Sequence, residues 1–161
     1  MRGEKALRYV LGHRAEQCVD GLLEPVATAL AATRISDEQL GVVEEHLEAM
    51  RGARDDVERL NAHDAAFHHA VISATGNETL LALLEGISGR TLRARIWRGL
   101  VDTQASDRTI AEHEAIFRAL SVRDASLNQA AALLHVSNTE RWLREHVRSG
   151  EALPWGMTAE E

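Results

Sequence analysis

Apolar side chains along this chain recur every three to four residues, and no stretch alternates apolar with polar over the length of a strand. A period of 3.6 gathers such residues on one side of a helix, whereas a sheet face needs a period of two. The chain must therefore bury helix faces against one another. Leu40, Val43, Leu47 and Met50 form one stripe, with Ser36 and Gln39 ahead of it at capping-box spacing and Gly52 behind. Val19, Leu22, Leu23, Val26 and Leu30 form another over residues 14–34, interrupted by Pro25, which predicts a kink or break near Gly21. Asp55 or Asp56 caps a third helix that stops at Gly76. Asn77 caps a fourth, which starts with Leu80, Leu81, Leu83, Leu84 and Ile87 and runs to about Val101. Residues 103–107 read as a loop. Ile110, His113, Phe117 and Leu120 make the fifth face. Behind Asp124, the row Leu127, Ala131, His135, Asn138 and Trp142 makes the sixth. The expectation is an all-α, antiparallel bundle of about six helices, with short connections and a metal or ligand site in its core. Residues 1–13 read as an N-terminal segment or linker remnant, 14–149 as the single domain, and 150–161 as a disordered tail.

The third helix carries the chemistry. Asp64 and His68 are four apart and share a face that is otherwise apolar, flanked by Leu60, Phe67, Val71 and Ile72. A carboxylate and an imidazole pointing into a core need partners, because an unsatisfied buried polar group is costly. Taken singly, each has an ordinary explanation: a core histidine bonds a backbone carbonyl, and an Asp–His pair four apart sits on many helix surfaces. Recurrence argues for more. His113 and His135 stand on two further inward rows. One carboxylate with three imidazoles suits a divalent transition metal, zinc or nickel first. His13, His46, His69 and His146 lie off these faces or near the ends and read as surface residues.

Composition removes several classes. The net charge is −7 with no extended basic run, which disfavours nucleic-acid binding by this chain alone. The single cysteine, Cys18, excludes an internal disulfide and a multi-cysteine zinc site, and fits a reduced, cytoplasmic setting. No signal peptide and no apolar run long enough to span a membrane is visible.

Three segments resemble one family. LLEPVATALAATR (22–34), DAAFHHAVISATGNETL (64–80) and EHEAIFRALSVRDASLNQAAALLHV (112–136) are similar to the first-helix signature, the Asp-x-x-x-His motif with its Gly-Asn turn, and the paired-histidine segment of the FCD domain. This is the effector-sensing half of FadR-type GntR transcription regulators. The resemblance runs from about Arg14 to Val147. It implies an all-helical bundle holding a divalent metal through Asp64, His68, His113 and His135, with a small carboxylate effector at or beside the ion. It implies a homodimer, and DNA contact only through a winged-helix domain, for which residues 1–13 are too few. Two positions depart from the pattern. Gly21 stands where the family carries an arginine three residues before Glu24, and Arg123-Asp124 stands where it carries Gly-Asp.

The fourth helix adds Arg90, Arg93, Arg95 and Arg98. Arg90 and Arg93 fall near the row of Leu83 and Ile87, and at least one of them is expected to reach the cavity and grip the effector carboxylate. Asn77, at the turn after the metal motif, is grouped with them as effector-binding.

The rival reading is an enzyme. His63-Asp64 is an HD dipeptide of the kind found in helical phosphohydrolases, with His46 and Asp107 or Asp124 as further ligands. It leaves His68, His113 and His135 unexplained. A di-iron bundle needs paired Glu-x-x-His motifs, which do not occur. No obvious general base accompanies the four residues, since Glu112 beside His113 is turned away by about 100° on an ideal helix. The expectation is a sensor without catalytic activity. A purely dimerising helical module is the remaining alternative.

Overall fold

The computed structural model describes residue 19 and residues 21–148, without the side chains of residues 90, 91, 93, 94, 143 and 146–148. The expected N-terminal segment, residues 1–13, and the expected tail, residues 150–161, lie outside the described residues, as do the side chains of His13 and His146. Among the described residues six helices and no strand occur. They are α1 (residues 21–32), α2 (Asp37–Gly52), α3 (Val57–Ser73), α4 (Glu78–Val101), α5 (Ala105–Ser121) and α6 (Ala125–Arg148). Successive helices are joined by only three or four residues, which makes antiparallel neighbours.

The helix starts are set by side chains. Ser36 and Gln39 form the capping box on α2, each bonding the other's backbone N–H, at 3.1 and 3.0 Å. Asp56 accepts from the Arg59 N–H at 3.0 Å, Asn77 from Leu80 at 3.0 Å, and Asp124 from Leu127 at 2.8 Å. Gly76 takes φ +69°, the left-handed turn that closes α3. Arg123 takes φ +54°, where the FCD pattern has glycine. Its guanidinium is anchored on the Ile35 carbonyl and on Asp37 Oδ1, 2.6 Å away. Those bonds offset the roughly 1 kcal/mol that a left-handed conformation costs a residue with a Cβ. The polar loop is shorter than expected. Helix α5 begins at Ala105, and Asp102 accepts from the Gln104 N–H at 3.1 Å to turn the chain.

Val43, Leu47 and Met50 of α2, Phe67 and Val71 of α3, and Ile116 and Leu120 of α5 form the apolar centre, each essentially without exposure. Full burial of a side chain of this size contributes about 1.5–3 kcal/mol. Helix α4 packs along α3 and only lightly on α5 and α6. At Gly99 the α4 backbone packs so closely on the Val57 side chain of α3 that a Cβ would lie 2.6 Å from its Cγ1.

Two predicted faces are corrected. On α1 the apolar stripe is not the inner face, since Leu22 and Val26 are 66% and 57% exposed. Glu24, Ala27, Thr28, Ala31 and Ala32 point inward instead. Small residues let α1 lie close to its neighbours, and the Thr28 hydroxyl donates to the Glu24 and Pro25 carbonyls, both at 3.0 Å. Residues 21–32 are helical without interruption across Pro25, so the break expected near Gly21 is not found among them. On α6 Leu127 is exposed and its neighbour Asn128 is fully buried. The Asn128 amide donates to the Ile116 carbonyl at 3.1 Å, which pins α6 to α5.

Candidate metal centre

Helix α3 brings in Asp64 and His68, α5 brings His113, and α6 brings His135. Each offers one ligand atom, and the four atoms lie within 4.8 Å of one another. Oδ1 of Asp64 is 3.0 Å from Nε2 of His113 and 3.9 Å from Nε2 of His68, and those two nitrogens are 3.1 Å apart. Donors bonded to one ion at about 2.1 Å are separated by comparable distances. Asp64, His113 and His135 are buried, and the His68 side chain is 13% exposed.

The other ring nitrogens face outward to fixed partners. Nδ1 of His68 lies 3.0 Å from Oε1 of Glu24 on α1, as an ion pair rather than an aligned hydrogen bond. Nδ1 of His113 is 2.7 Å from the Thr109 carbonyl, and Nδ1 of His135 is 2.8 Å from Oε2 of Glu112. Glu112 is held in turn by the Asn138 amide at 2.8 Å. Partners of this kind fix ring orientation and tautomer. The carboxylate of Asp64 is steadied by Arg95 at 2.5 Å, which also donates to the Ser88 carbonyl at 3.1 Å.

Electrostatics define what fits at the middle. A carbonyl only accepts, so His113 carries its proton on Nδ1. Burial pushes its pKa down and keeps the ring neutral, against the pull of Asp64. Its Nε2 then presents a lone pair to the Asp64 carboxylate. Burial opposes charge on Asp64, but the Arg95 guanidinium outweighs it and holds its pKa well below the usual carboxylate range. Two acceptors at 3.0 Å repel unless a cation lies between them. Burial likewise opposes charge on His68, yet Glu24 prevails and raises the imidazole to about 9, while Glu24 is lowered to about 2 despite its own burial. Without another cation, the proton on His68 supplies the positive charge. The donor set fits a divalent transition ion: one carboxylate, three imidazoles, and outer partners already in place.

Residues 18–138 match the FCD domain family. The chain belongs to the FCD family. It is 32% identical over 129 residues to the galactonate operon transcriptional repressor of Escherichia coli (strain K12), covering 79% of this chain and 56% of that protein. It is 31% identical over 124 residues to the HTH-type transcriptional regulator LutR of Bacillus subtilis (strain 168), with 74% and 56% covered. The chain thus spans about half the length of these relatives. E. coli McbR/YncC has the same fold, with a TM-score of 0.73 at 17% identity over 83% of this chain and 68% of that one.

The four residues expected as ligands in this FCD domain are brought together. The HD arrangement is not assembled. His63 lies against His46, with ring centroids 6.3 Å apart, while Asp107 pairs with Arg54 and Asp124 caps α6. Asn77 is exposed, with its side chain committed to the α4 cap. The side chains of Arg90 and Arg93 lie outside the described residues. Three functional neighbours had been placed otherwise. Glu24 entered only as a position of the first-helix signature and not as a site residue. Arg95 was passed over for Arg90 and Arg93. Glu112 does turn away from His113, and it meets His135 on the next helix instead. Asn138, three residues after His135, was the visible sign of that contact. Among the described residues no helix is long and apolar enough to cross a membrane.

Proposed function

We propose that this FCD domain holds a divalent transition metal, zinc or nickel, through Asp64, His68, His113 and His135, and senses a small carboxylate for a transcription regulator. The observation that carries the reading is the arrangement of the three imidazoles. Each turns one nitrogen inward beside Asp64 and anchors the other on Glu24, the Thr109 carbonyl or Glu112. The ion supplies a Lewis-acid centre for a carboxylate oxygen. The chain's own residues set its position and exclude competing groups: Arg95 orients Asp64, and Glu112 with Asn138 orients His135.

A carboxylate effector accords with the name of one relative, a repressor of an operon for galactonate, itself a carboxylate. Both curated relatives are transcription regulators, which favours binding over catalysis. DNA reading belongs to a separate winged-helix domain of the longer regulator, and the regulator acts as a homodimer on two-fold operators. Arg90 and Arg93 remain effector contacts in this reading, and Asn77, whose side-chain oxygen caps α4, has only its amide N–H left for that role.

Elemental analysis of the purified chain, beside His135→Ala, tests the metal. Equal metal content in both proteins sinks the reading. Thermal-shift measurement with mono- and dicarboxylates, on metal-loaded and metal-stripped protein, tests the effector class. The expected result is a larger upward shift in the loaded form for at least one acid.

A further inference from the structure

One cavity of about 30 Å³ borders the metal centre where α4 faces α5 and α6. Asp64 and His135 form its metal side, and Arg95, Arg98, Asn61 and Thr139 are among its other walls. The two arginines are three apart on α4 and reach the same space, but they are not in the same condition. Arg95 is spent on Asp64 and on the Ser88 carbonyl. Arg98 is 5% exposed, and among the described residues no carboxylate lies within ion-pair distance of it. Its guanidinium donates to Thr139 Oγ1 at 2.9 Å and lies 5.9 Å over the Trp142 ring, while its Nε is buried without a partner. Glu112 attracts it only from beyond ion-pair distance, so a buried cation with a hydroxyl, a ring and an idle donor in direct contact still has a place for an anion.

We propose that Arg98 is the anion-recognition residue of this domain: it grips the carboxylate of the bound acid across the seam between α4 and α6, opposite the metal. This rests on the reading of the centre as a metal-assisted carboxylate sensor and adds which side chain selects the charge. The place has a mechanical consequence. Arg98 stands on α4, and Thr139 and His135 stand on α6. These helices touch only lightly, so a carboxylate held by both sides ties together a weak seam. The cavity is small enough that the seam must part to admit the acid and then close on it.

The test uses the full chain loaded with zinc and titrated calorimetrically with acetate, glycolate, malonate and citrate. The acid that wild type binds best serves as the probe. Arg98→Gln is expected to weaken it at least about tenfold, as loss of a charge-assisted contact does. Zinc affinity is expected to stay within threefold of wild type, and the melting temperature of acid-free, zinc-loaded protein to stay unchanged or rise, because a desolvated charge has been removed. Arg98→Lys, which keeps the charge without the fork, is expected to fall between the two. Acid affinity within threefold of wild type in Arg98→Gln overturns the proposal while leaving the sensor reading intact. So does a melting point lowered in both variants without a loss of acid affinity, which would make Arg98 a structural residue. If wild type binds none of the acids, or binds them equally well without zinc, the sensor reading itself fails and takes this proposal with it.

Discussion

The bundle has two unlike halves. Where α2 meets α3 and α5, the interior is Val43, Leu47, Met50, Val71, Ile116 and Leu120, with no ionisable group among them. Where α3 and α5 meet α1, α4 and α6, the interior is Glu24, Asp64, His68, His113, His135, Arg95 and Arg98. Phe67 stands at the border, its ring edge-on to His113 at 4.7 Å between centroids. The apolar half is stable on its own terms, because burial is favourable whatever is dissolved around it. The charged half is stable only in company, since each group there depends on a partner, a proton or an ion. A fold built this way can be firm in one region and responsive in the other.

Several measurements would break or sharpen that contrast. The largest effect should come from the centre's ion. At a free zinc concentration about a thousand times its dissociation constant, zinc should add about 4 kcal/mol to stability in denaturant titrations, and chelation should remove it. His113→Ala should abolish that gain. Leu47→Ala, in the apolar half, should cost about 3 kcal/mol, and the loss should be the same with zinc or with chelator. A loss that depended on zinc would mean that the halves are not separable. Glu112→Gln touches no ligand atom of the ion, yet it loosens the partner of His135. Zinc affinity should fall about 10- to 100-fold in competition with a coloured chelator.

The smallest effect is one of pH, in metal-free protein. His68 is raised from 6.5 to about 9 on folding, so its contribution is complete below pH 6.5 and is lost as pH rises through 9. Glu24 is lowered from 4.5 to about 2, so its contribution is complete above pH 4.5 and is lost as pH falls towards 2. Between these limits both contributions are complete, while His113, whose pKa burial lowers, favours the folded state more as pH rises towards 6.5, so metal-free protein should melt highest near pH 6.5 and weaken on the alkaline side. Zinc bound at His68 would displace its proton and should remove the alkaline decline. An alkaline decline of the same size with zinc present would argue that His68 is not a ligand.

Much of this was legible in the sequence, for identifiable reasons. The caps at Ser36, Asp56, Asn77 and Asp124 are local, so the residues that form them are neighbours in the chain. Asp64, His68, His113 and His135 stood out because each interrupts an apolar row. The face of α1 was not legible. Leu22 and Val26 obey the helical period, but Ala27, Ala31 and Thr28 admit a closer approach, and Glu24 is at home inside only because His68 meets it from another helix. The arginines of α4 failed for a related reason. That helix has apolar residues nearly all round, so no stripe shows which of Arg90, Arg93, Arg95 and Arg98 turns inward. Asn128 was hidden behind Leu127 because a buried amide is explained only by the Ile116 carbonyl it meets.

The buried charges of the polar half also obey a sum rule. Three carboxylates, Glu24, Asp64 and Glu112, face two guanidiniums, Arg95 and Arg98, and one protonated imidazole, His68. In that state the interior is neutral. Exchanging the His68 proton for a divalent ion leaves one positive charge over, and a monoanion cancels it. Under the proposed reading electroneutrality sets an order: a metal would enter as the His68 proton leaves, and only then would the interior have a vacancy for a single negative charge.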